Sequence, residues 1–197
     1  CESIGEKAFF YCSFLMSITI PQNVTSIGDS AFAGCERLVE VINRSSLNIT
    51  AGSVDYGNVG YYAKHISTSK EKTCLTTDEN GYIFFEDGTH AYLVGYIGSE
   101  TSLILPEKSS SGKNYEINSN AFYNCVSLVS ITISTGVTRI GAGAFNGCKR
   151  LINVVVSDSV TSIDDYAFAW CTSLVSITIP TGVVYIGSFA FVGCSGL

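Results

Sequence analysis

Residues 128–150 read LVSITISTGVTRIGAGAFNGCKR, and this stretch decides the fold because it recurs along the chain. It returns as LINVVVSDSVTSIDDYAFAWCTS from Leu151, as LVSITIPTGVVYIGSFAFVGCSG from Leu174, and as FLMSITIPQNVTSIGDSAFAGCER around Leu15. Four cysteines of the pattern fall 23 residues apart, namely Cys125, Cys148, Cys171 and Cys194. A fixed period of this length is typical of a solenoid, in which successive coils of chain stack on one another.

Within one coil the spacing of the apolar residues changes, and the change predicts the path of the chain. Around Ile177 and Ile179 apolar and polar residues alternate, which predicts a strand. A Pro-Thr-Gly turn and a second short extended segment follow. The three- and four-residue spacings of Ala190, Phe191 and Cys194 then predict a short helical turn.

Stacking places equivalent residues of successive coils beside one another, about 4.8 Å apart. We therefore expect a phenylalanine column formed by Phe9, Phe32, Phe122, Phe145, Phe168 and Phe191. A column of isoleucines is expected from Ile4, Ile27, Ile117, Ile140, Ile163 and Ile186. No coil can bury its apolar face alone, so neighbouring coils must bury it together.

The eight cysteines allow two interpretations. One is a disulfide framework, as in small exported proteins. The other is a column of small buried thiols, which we favour. Stacked cysteines have parallel Cα–Cβ vectors, whereas a disulfide needs converging Cβ atoms about 3.5–4.5 Å apart. Zinc is disfavoured because the chain has no C-x-x-C pair and because His65 and His90 lie away from the column.

The period breaks in the middle of the chain, which predicts three segments. Residues 1–66 hold the N-terminal repeats, 67–99 an insertion, and 100–197 the C-terminal repeats. The sequence begins in mid-coil at Cys1 and stops at Leu197, the first residue of another coil, so we expect the array to be truncated at both ends.

Three features of this middle region are predicted from its composition. The segment SVDYGNVGYYAKHI, from residue 53, is interpreted as a longer helix. An excess of five residues forms a Ser/Gly-rich loop between Pro106 and Ile117. In the insertion, GYIFF and HAYLVGY flank an Asp-Gly turn, which predicts a β-hairpin that projects from the coils or lies along their flank.

Composition excludes several classes of protein. Apolar residues make up 46% and charged residues 14% of the chain, which is incompatible with disorder. The net charge of −6 and the scattered Lys and Arg residues leave no basic stripe for nucleic acid. No apolar run reaches the roughly 18 residues needed to cross a bilayer, so we expect no membrane insertion by this segment.

The repeat LxxIxIPxxVxxIGxxAFxxC at period 23 resembles the BspA-like (Treponema-type) leucine-rich repeats. The resemblance covers nearly all of residues 1–37 and 117–197, and more loosely 38–66 and 100–116. It implies an α/β repeat, a right-handed solenoid with a parallel sheet on its concave face. It also implies export to the cell surface and adhesion to or binding of host proteins. The resemblance carries no catalytic residues.

If the LxxIxI strands line the concave face, alternation identifies the outward positions that could contact a ligand. They are Ser17, Thr19, Glu40, Ile42, Ser130, Thr132, Asn153, Val155, Ser176 and Thr178. This ladder could bind an extended protein or glycan through many weak hydrogen bonds. Equally, Ser and Thr suit exposed strand positions for structural reasons alone.

The insertion offers a second candidate surface, because it is rich in tyrosine. Tyr82, Tyr92 and Tyr96 could contact a ligand, since tyrosine gives contact area at low entropic cost. The alternative is that these rings fill the core where the regular packing is interrupted.

Catalysis and cofactors are not predicted. Only His65 and His90 could serve as histidine bases, and neither belongs to a catalytic motif. Asp78-Glu79-Asn80-Gly81 and Glu86-Asp87-Gly88 lack the remaining ligands of a calcium loop and are better explained as turns. We therefore predict an extracellular or cell-surface binding module without a metal or cofactor. The alternative is a structural spacer within a larger surface protein.

Overall fold

The computed structural model describes residues 1–68 and 73–197, which divide into two units, Cys1–Cys74 and Leu75–Leu197. Residues 69–72 of the predicted insertion lie outside the described residues. Each unit is wound as a β-solenoid, because every regular coil contributes one short strand to each of two parallel sheets. The predicted solenoid architecture is thereby confirmed.

The first unit contains two sheets of short parallel strands. Its strands are β1 (Ser3–Ile4), β2 (Ser17–Ile20), β3 (Ser26–Ile27), β4 (Glu40–Asn43) and β5 (His65–Ser67). Strand β1 pairs with β3, while β2, β4 and β5 form the other sheet in that order.

The second unit repeats this arrangement with more strands. They are β6 (Leu75–Thr77), β7 (Tyr82–Glu86), β8 (Ala91–Tyr96), β9 (Ser102–Ile104), β10 (Tyr115–Ile117), β11 (Ser130–Ile133), β12 (Val137–Ile140), β13 (Asn153–Val156), β14 (Ser162–Ile163), β15 (Ser176–Ile177) and β16 (Tyr185–Ile186). The first strands of the coils form a sheet in the order β15-β13-β11-β9. The second strands β10, β12, β14 and β16, together with the insertion strands β6, β7 and β8, form the sheet β16-β14-β12-β10-β8-β7-β6.

Strand register reproduces the sequence period. Ser130 pairs with Asn153 and Asn153 with Ser176, each 23 residues further along the chain. Ser102 pairs with Ser130, an offset of 28 (130 minus 102), so the loop before β10 holds five extra residues, as predicted. That loop is fastened to the hairpin, because the hydroxyls of Ser109 and Ser111 donate to Glu86 Oε1.

The predicted hairpin is present, but it does not project from the coils. Strands β7 and β8 pair antiparallel around the Asp87–His90 turn. Strand β8 then pairs in parallel with β10, in the position that the second strand of a coil would occupy. The hairpin therefore continues the sheet, and its apolar residues Phe84 and Leu93 enter the core of the second unit.

The predicted side-chain columns are formed within each unit. Phe145 stacks on Phe122 and on Phe168 with centroid separations of 5.1 Å and nearly parallel rings. Phe9 and Phe32 stack at 4.8 Å in the first unit. The isoleucines stand in register across their sheet, as Ile140 does beside Ile117 and Ile163. Because these side chains are buried by neighbouring coils, the packing rather than any single coil stabilises the fold.

The expected helical turn at each Ala-Phe pair is wrong, because this segment is a run of tight turns. The N–H groups of Gly143, Phe145 and Gly147 donate to carbonyls of the next coil, at 2.7–2.9 Å. The intervening N–H groups of Ala144 and Asn146 donate three residues back. A helix would direct all these donors along its own axis, whereas here every second donor joins two coils.

The longer helix expected in SVDYGNVGYYAKHI is also wrong. The segment contains one three-residue 3-10 turn, Tyr56–Asn58, with a left-handed backbone at Gly57 (φ 63°). Its last residues form β5, which pairs with β4. The Phe32 N–H donates to the Gly57 carbonyl at 2.7 Å, so the turn takes the place of the next regular coil.

The cysteine column consists of thiols that serve as hydrogen-bond donors. The Sγ atoms of Cys35, Cys148, Cys171 and Cys194 donate to the carbonyl of the phenylalanine 26 residues earlier, at 3.0–3.2 Å. Each bond joins one coil to the preceding coil. Burial raises the pKa of Cys171 to about 12 and that of Cys35 to about 11.

This burial predicts a loss of stability at alkaline pH. The Cys171 thiol ionises near its ordinary pKa of 9.0 when unfolded and near 12 when folded. The contribution of this thiol to the free energy of unfolding is therefore complete below pH 9.0. It falls as the pH rises toward about 12, by up to about 1.4 kcal/mol per pH unit. Chemical denaturation at several alkaline pH values should show that the free energy of unfolding falls less steeply with pH in Cys171→Ala than in the parent. Equal slopes would contradict the prediction.

Candidate ligand-binding surfaces

The outward residues of the first strands form regular rows in the second unit. One row runs Ser102, Ser130, Asn153 and Ser176, and the next runs Ile104, Thr132 and Val155. Thr178 lies just beyond β15 and is exposed. We name these eight residues the ladder face. The buried partners of the same strands, such as Ile131 and Val154, point into the core.

The ladder face is uncharged and partly apolar. Its polar members are hydroxyls and one amide, and Ile104 and Val155 are 72% and 49% exposed. Small side chains in register make a flat surface on which hydrogen-bonding groups recur at the strand spacing of about 4.8 Å. Such a surface suits an extended ligand that contacts several coils at once.

In the first unit Glu40 is buried, although alternation predicts it as an outward residue that could contact a ligand. Its carboxylate accepts hydrogen bonds from the Ser17 hydroxyl, the Thr73 hydroxyl and the Cys74 N–H, at 2.7–2.8 Å. The glutamate is 2% exposed, since the Thr73–Cys74 segment covers it. Alternation along β4 predicts that the Glu40 side chain points outward. It cannot predict that Thr73–Cys74, more than thirty residues later in the chain, covers this side chain. Glu40 therefore anchors that segment, while Thr19 on β2 remains exposed.

The three predicted tyrosines of the insertion do not form one group. Tyr82 and Tyr96 lie together with ring centroids 5.1 Å apart. Tyr82 is 5% exposed and its hydroxyl donates to the Ile104 carbonyl at 2.9 Å, so it is mainly a structural residue. Burial, with Tyr96 and Asp78 nearby, raises its pKa to about 12. Tyr92 lies beside Glu116 across the β8–β10 pairing and stacks on His90.

A cavity of about 410 Å³ opens beside Tyr82, Tyr96 and the edge strand β9. The ladder residues Ser102 and Ile104 line it, and so do Asp78 and Glu100. None of these last four residues was predicted to contact a ligand. The sequence could have identified Ser102 and Ile104 as outward residues, because TSLILP at 101–106 alternates in the same way as the regular first strands.

The histidines considered for catalysis lie in a strand and beside a turn, and the aspartates considered for calcium lie in turns. His90 is exposed and contacts Asp87 Oδ2 at 3.3 Å, and His65 lies in β5 opposite Glu40. Asp78 and Asp87 each accept two backbone N–H groups of their own turns through Oδ1, as the turn interpretation predicted. Within residues 1–68 and 73–197, no helix has the length and hydrophobicity needed to span a bilayer.

Parallel pairing between neighbouring coils in two sheets, about 23 residues per coil and columns of Leu, Ile and Phe define a leucine-rich-repeat solenoid. Six copies of the family described as BspA type Leucine rich repeat region match residues 1–56 and 101–197, and the chain belongs to this family. The resemblance inferred from the repeat is thus confirmed. A comparison with curated proteins found no match.

Solved structures share the fold. A leucine rich cell surface protein from Faecalibacterium prausnitzii is 26% identical with a TM-score of 0.63, and the match covers 100% of this chain and 56% of that one. The Leucine Rich Repeat protein of T. pallidum is 27% identical with a TM-score of 0.53, covering 61% of this chain and 68% of that one. The pneumococcal vaccine antigen PcpA, at 21% identity and a TM-score of 0.62, shows the same fold over 100% of this chain and 52% of its own.

Proposed function

We propose that this protein is a non-catalytic binding module, cell-surface or secreted, whose ladder face binds an extracellular protein or glycan. The observation that carries the proposal is the register of the first strands in the second unit. It aligns Ser130 with Asn153 and Ser176, and Thr132 with Val155, without any charge in either row. Repeated weak contacts of this kind add up when a ligand spans several coils.

The chemistry of the surface supports a polar, extended ligand. Hydroxyl and amide groups can donate to and accept from a peptide backbone or sugar hydroxyls. The exposed Ile104 and Val155 add apolar contact, which hydroxyl groups alone would not supply. The cell-surface description of the F. prausnitzii relative supports the location, and it is the reason we favour an extracellular ligand.

A direct test compares two double variants that make the same chemical change in the same coils. Thr132→Glu with Thr178→Glu places two carboxylates on the ladder face. Thr135→Glu with Thr181→Glu places them at exposed turn positions nearby. Binding of each variant to immobilised extracellular-matrix and serum proteins is measured by biolayer interferometry. The ladder variant should lose about tenfold or more in affinity, because its carboxylates are desolvated without partners.

The control variant should bind within about twofold of the parent, since isolated surface changes have small effects. Equal binding by both variants would refute recognition through the ladder face. Absence of binding to every protein and glycan tested would favour the structural spacer instead.

A further inference from the structure

The cavity beside β9 has an immobilised aromatic wall. The Tyr82 hydroxyl is held by the Ile104 carbonyl at 2.9 Å, and the Tyr96 hydroxyl accepts the Glu100 N–H at 3.3 Å. Both rings are therefore fixed before a ligand arrives, which lowers the entropic cost of binding. Ile104 and Pro106 add aliphatic surface to the same cavity. The wall suits the hydrocarbon part of a side chain.

Negative charge accompanies this wall. Among the described residues that line the cavity, Asp78 and Glu100 carry carboxylates and none is basic. The Asp78 carboxylate is held in place because its Oδ1 accepts the N–H groups of Asn80 and Tyr82, at 3.0 and 2.8 Å. The whole chain carries a net charge of −6, which also attracts cations.

Few side chains match an apolar wall next to carboxylates. Lys and Arg bury their methylene groups along apolar surface and keep the cationic group at a polar site. The face of a tyrosine ring adds a further attraction for the cation. A neutral apolar side chain would form no ion pair with the two carboxylates, and an acidic side chain would be repelled by them.

We propose that this cavity binds a Lys or Arg side chain of the extracellular protein that the ladder face contacts. This inference rests on the proposed function and names protein, rather than glycan, as the ligand class. The aliphatic chain lies against Tyr96 and Ile104, and the cationic group lies between Asp78 and Glu100. Because Ser102 and Ile104 belong to both surfaces, a bound segment can contact the cavity and the ladder face together.

The test uses short peptides and the full chain, isotope-labelled for NMR. The probe is acetyl-Gly-Ser-Lys-Ser-Gly-amide, and its control has norleucine in place of lysine, which keeps the hydrocarbon chain without the charge. The lysine peptide should cause saturable shifts of the Tyr96, Glu100 and Ile104 amide signals at up to ~10 mM. Raising the salt concentration from ~50 to ~500 mM should weaken this binding.

Two variants, each of which removes one carboxylate charge, test whether the lysine peptide binds in the cavity. Glu100→Gln should weaken binding of the lysine peptide about fivefold, because one of two carboxylates is lost. Glu79→Gln changes an exposed neighbour outside the cavity and should leave the affinity within about twofold. Unchanged spectra elsewhere in each variant establish that the fold is intact.

Three outcomes would overturn the proposal: no saturable shifts, equal binding of the norleucine peptide, or equal losses in both variants. These outcomes are separable from failure of the proposed function. The peptide experiment involves no extracellular protein, and the ladder variants leave Asp78 and Glu100 unchanged.

Discussion

Replacing Phe145 with alanine is expected to lower the free energy of unfolding of the second unit by about 3–5 kcal/mol. The side chain is 0% exposed and stacks on Phe122 and Phe168, at 5.1 Å on either side. Its removal leaves a cavity between two coils that backbone hydrogen bonds hold at a fixed spacing. The coils cannot move together to fill the space, so the loss should lie toward the upper end of the range.

Chemical denaturation followed by the fluorescence of Trp170, the one tryptophan of the chain, measures this loss. Phe189→Ala is the matched control. Phe189 stacks on Tyr166 at 5.3 Å but is 60% exposed, so its removal should cost less than about 1 kcal/mol. A similar loss in both variants would show that burial within the phenylalanine column does not determine stability.

Replacing Gly57 with alanine is expected to destabilise the first unit by about 2–4 kcal/mol. Gly57 has a φ of +63°, and a Cβ atom there would lie 2.3 Å from the Gly28 carbonyl oxygen and 2.9 Å from the Ala31 nitrogen. Both contacts are with backbone, which cannot rotate away as a side chain can. The turn would have to move off the preceding coil and weaken the Phe32 N–H bond to the Gly57 carbonyl.

Gly52→Ala separates the steric part of this effect from the conformational part. Gly52 has a φ of +78°, but a Cβ atom there would meet nothing within 4 Å. Only the strain of the left-handed backbone remains, about 1 kcal/mol. Thermal denaturation and hydrogen exchange of the Phe32 amide compare the two variants. Faster exchange in Gly57→Ala alone would support the close approach of the turn, and equal effects would contradict it.

The cysteine column and the tight turns at each Ala-Phe pair affect stability in the same way. Each supplies hydrogen bonds from one coil to its neighbour, as Cys171 does to Phe145 and Phe145 does to Ala167. A change in one coil is therefore transmitted to the next, in line with the nearest-neighbour energetics of repeat proteins. The ladder face depends on this coupling, because its rows exist only while the coils remain in register.

The short helical turn shows where sequence reasoning failed. The spacing of Ala144, Phe145 and Cys148 fits a helix as well as it fits a pair of tight turns. The left-handed backbone at Gly143 and Gly147 (φ 61° and 76°) distinguishes the two. Glycine at these positions is a usable signal, since it adopts positive φ readily.

The same positions hold Tyr166 and Trp170 in the next coil, with φ of 56° and 59°. Nothing local favours that conformation for aromatic residues. Their N–H groups donate to Ser188 and Val192 of the following coil, so the stack imposes the conformation.

By itself, the sequence determined the period, the two strands of each coil, the buried columns and the family. It also identified the outward residues of β11 and β13, because alternation along a strand is a local property, but it missed Ser102 and Ile104 on β9. Only the tertiary structure decided that Glu40 is covered, that the hairpin continues a sheet, and that Asp78 and Glu100 line one cavity with Tyr96. These features bring together residues from segments whose sequences do not repeat. A periodic pattern predicts contacts between equivalent positions, but it carries no information about contacts between segments that have no counterpart.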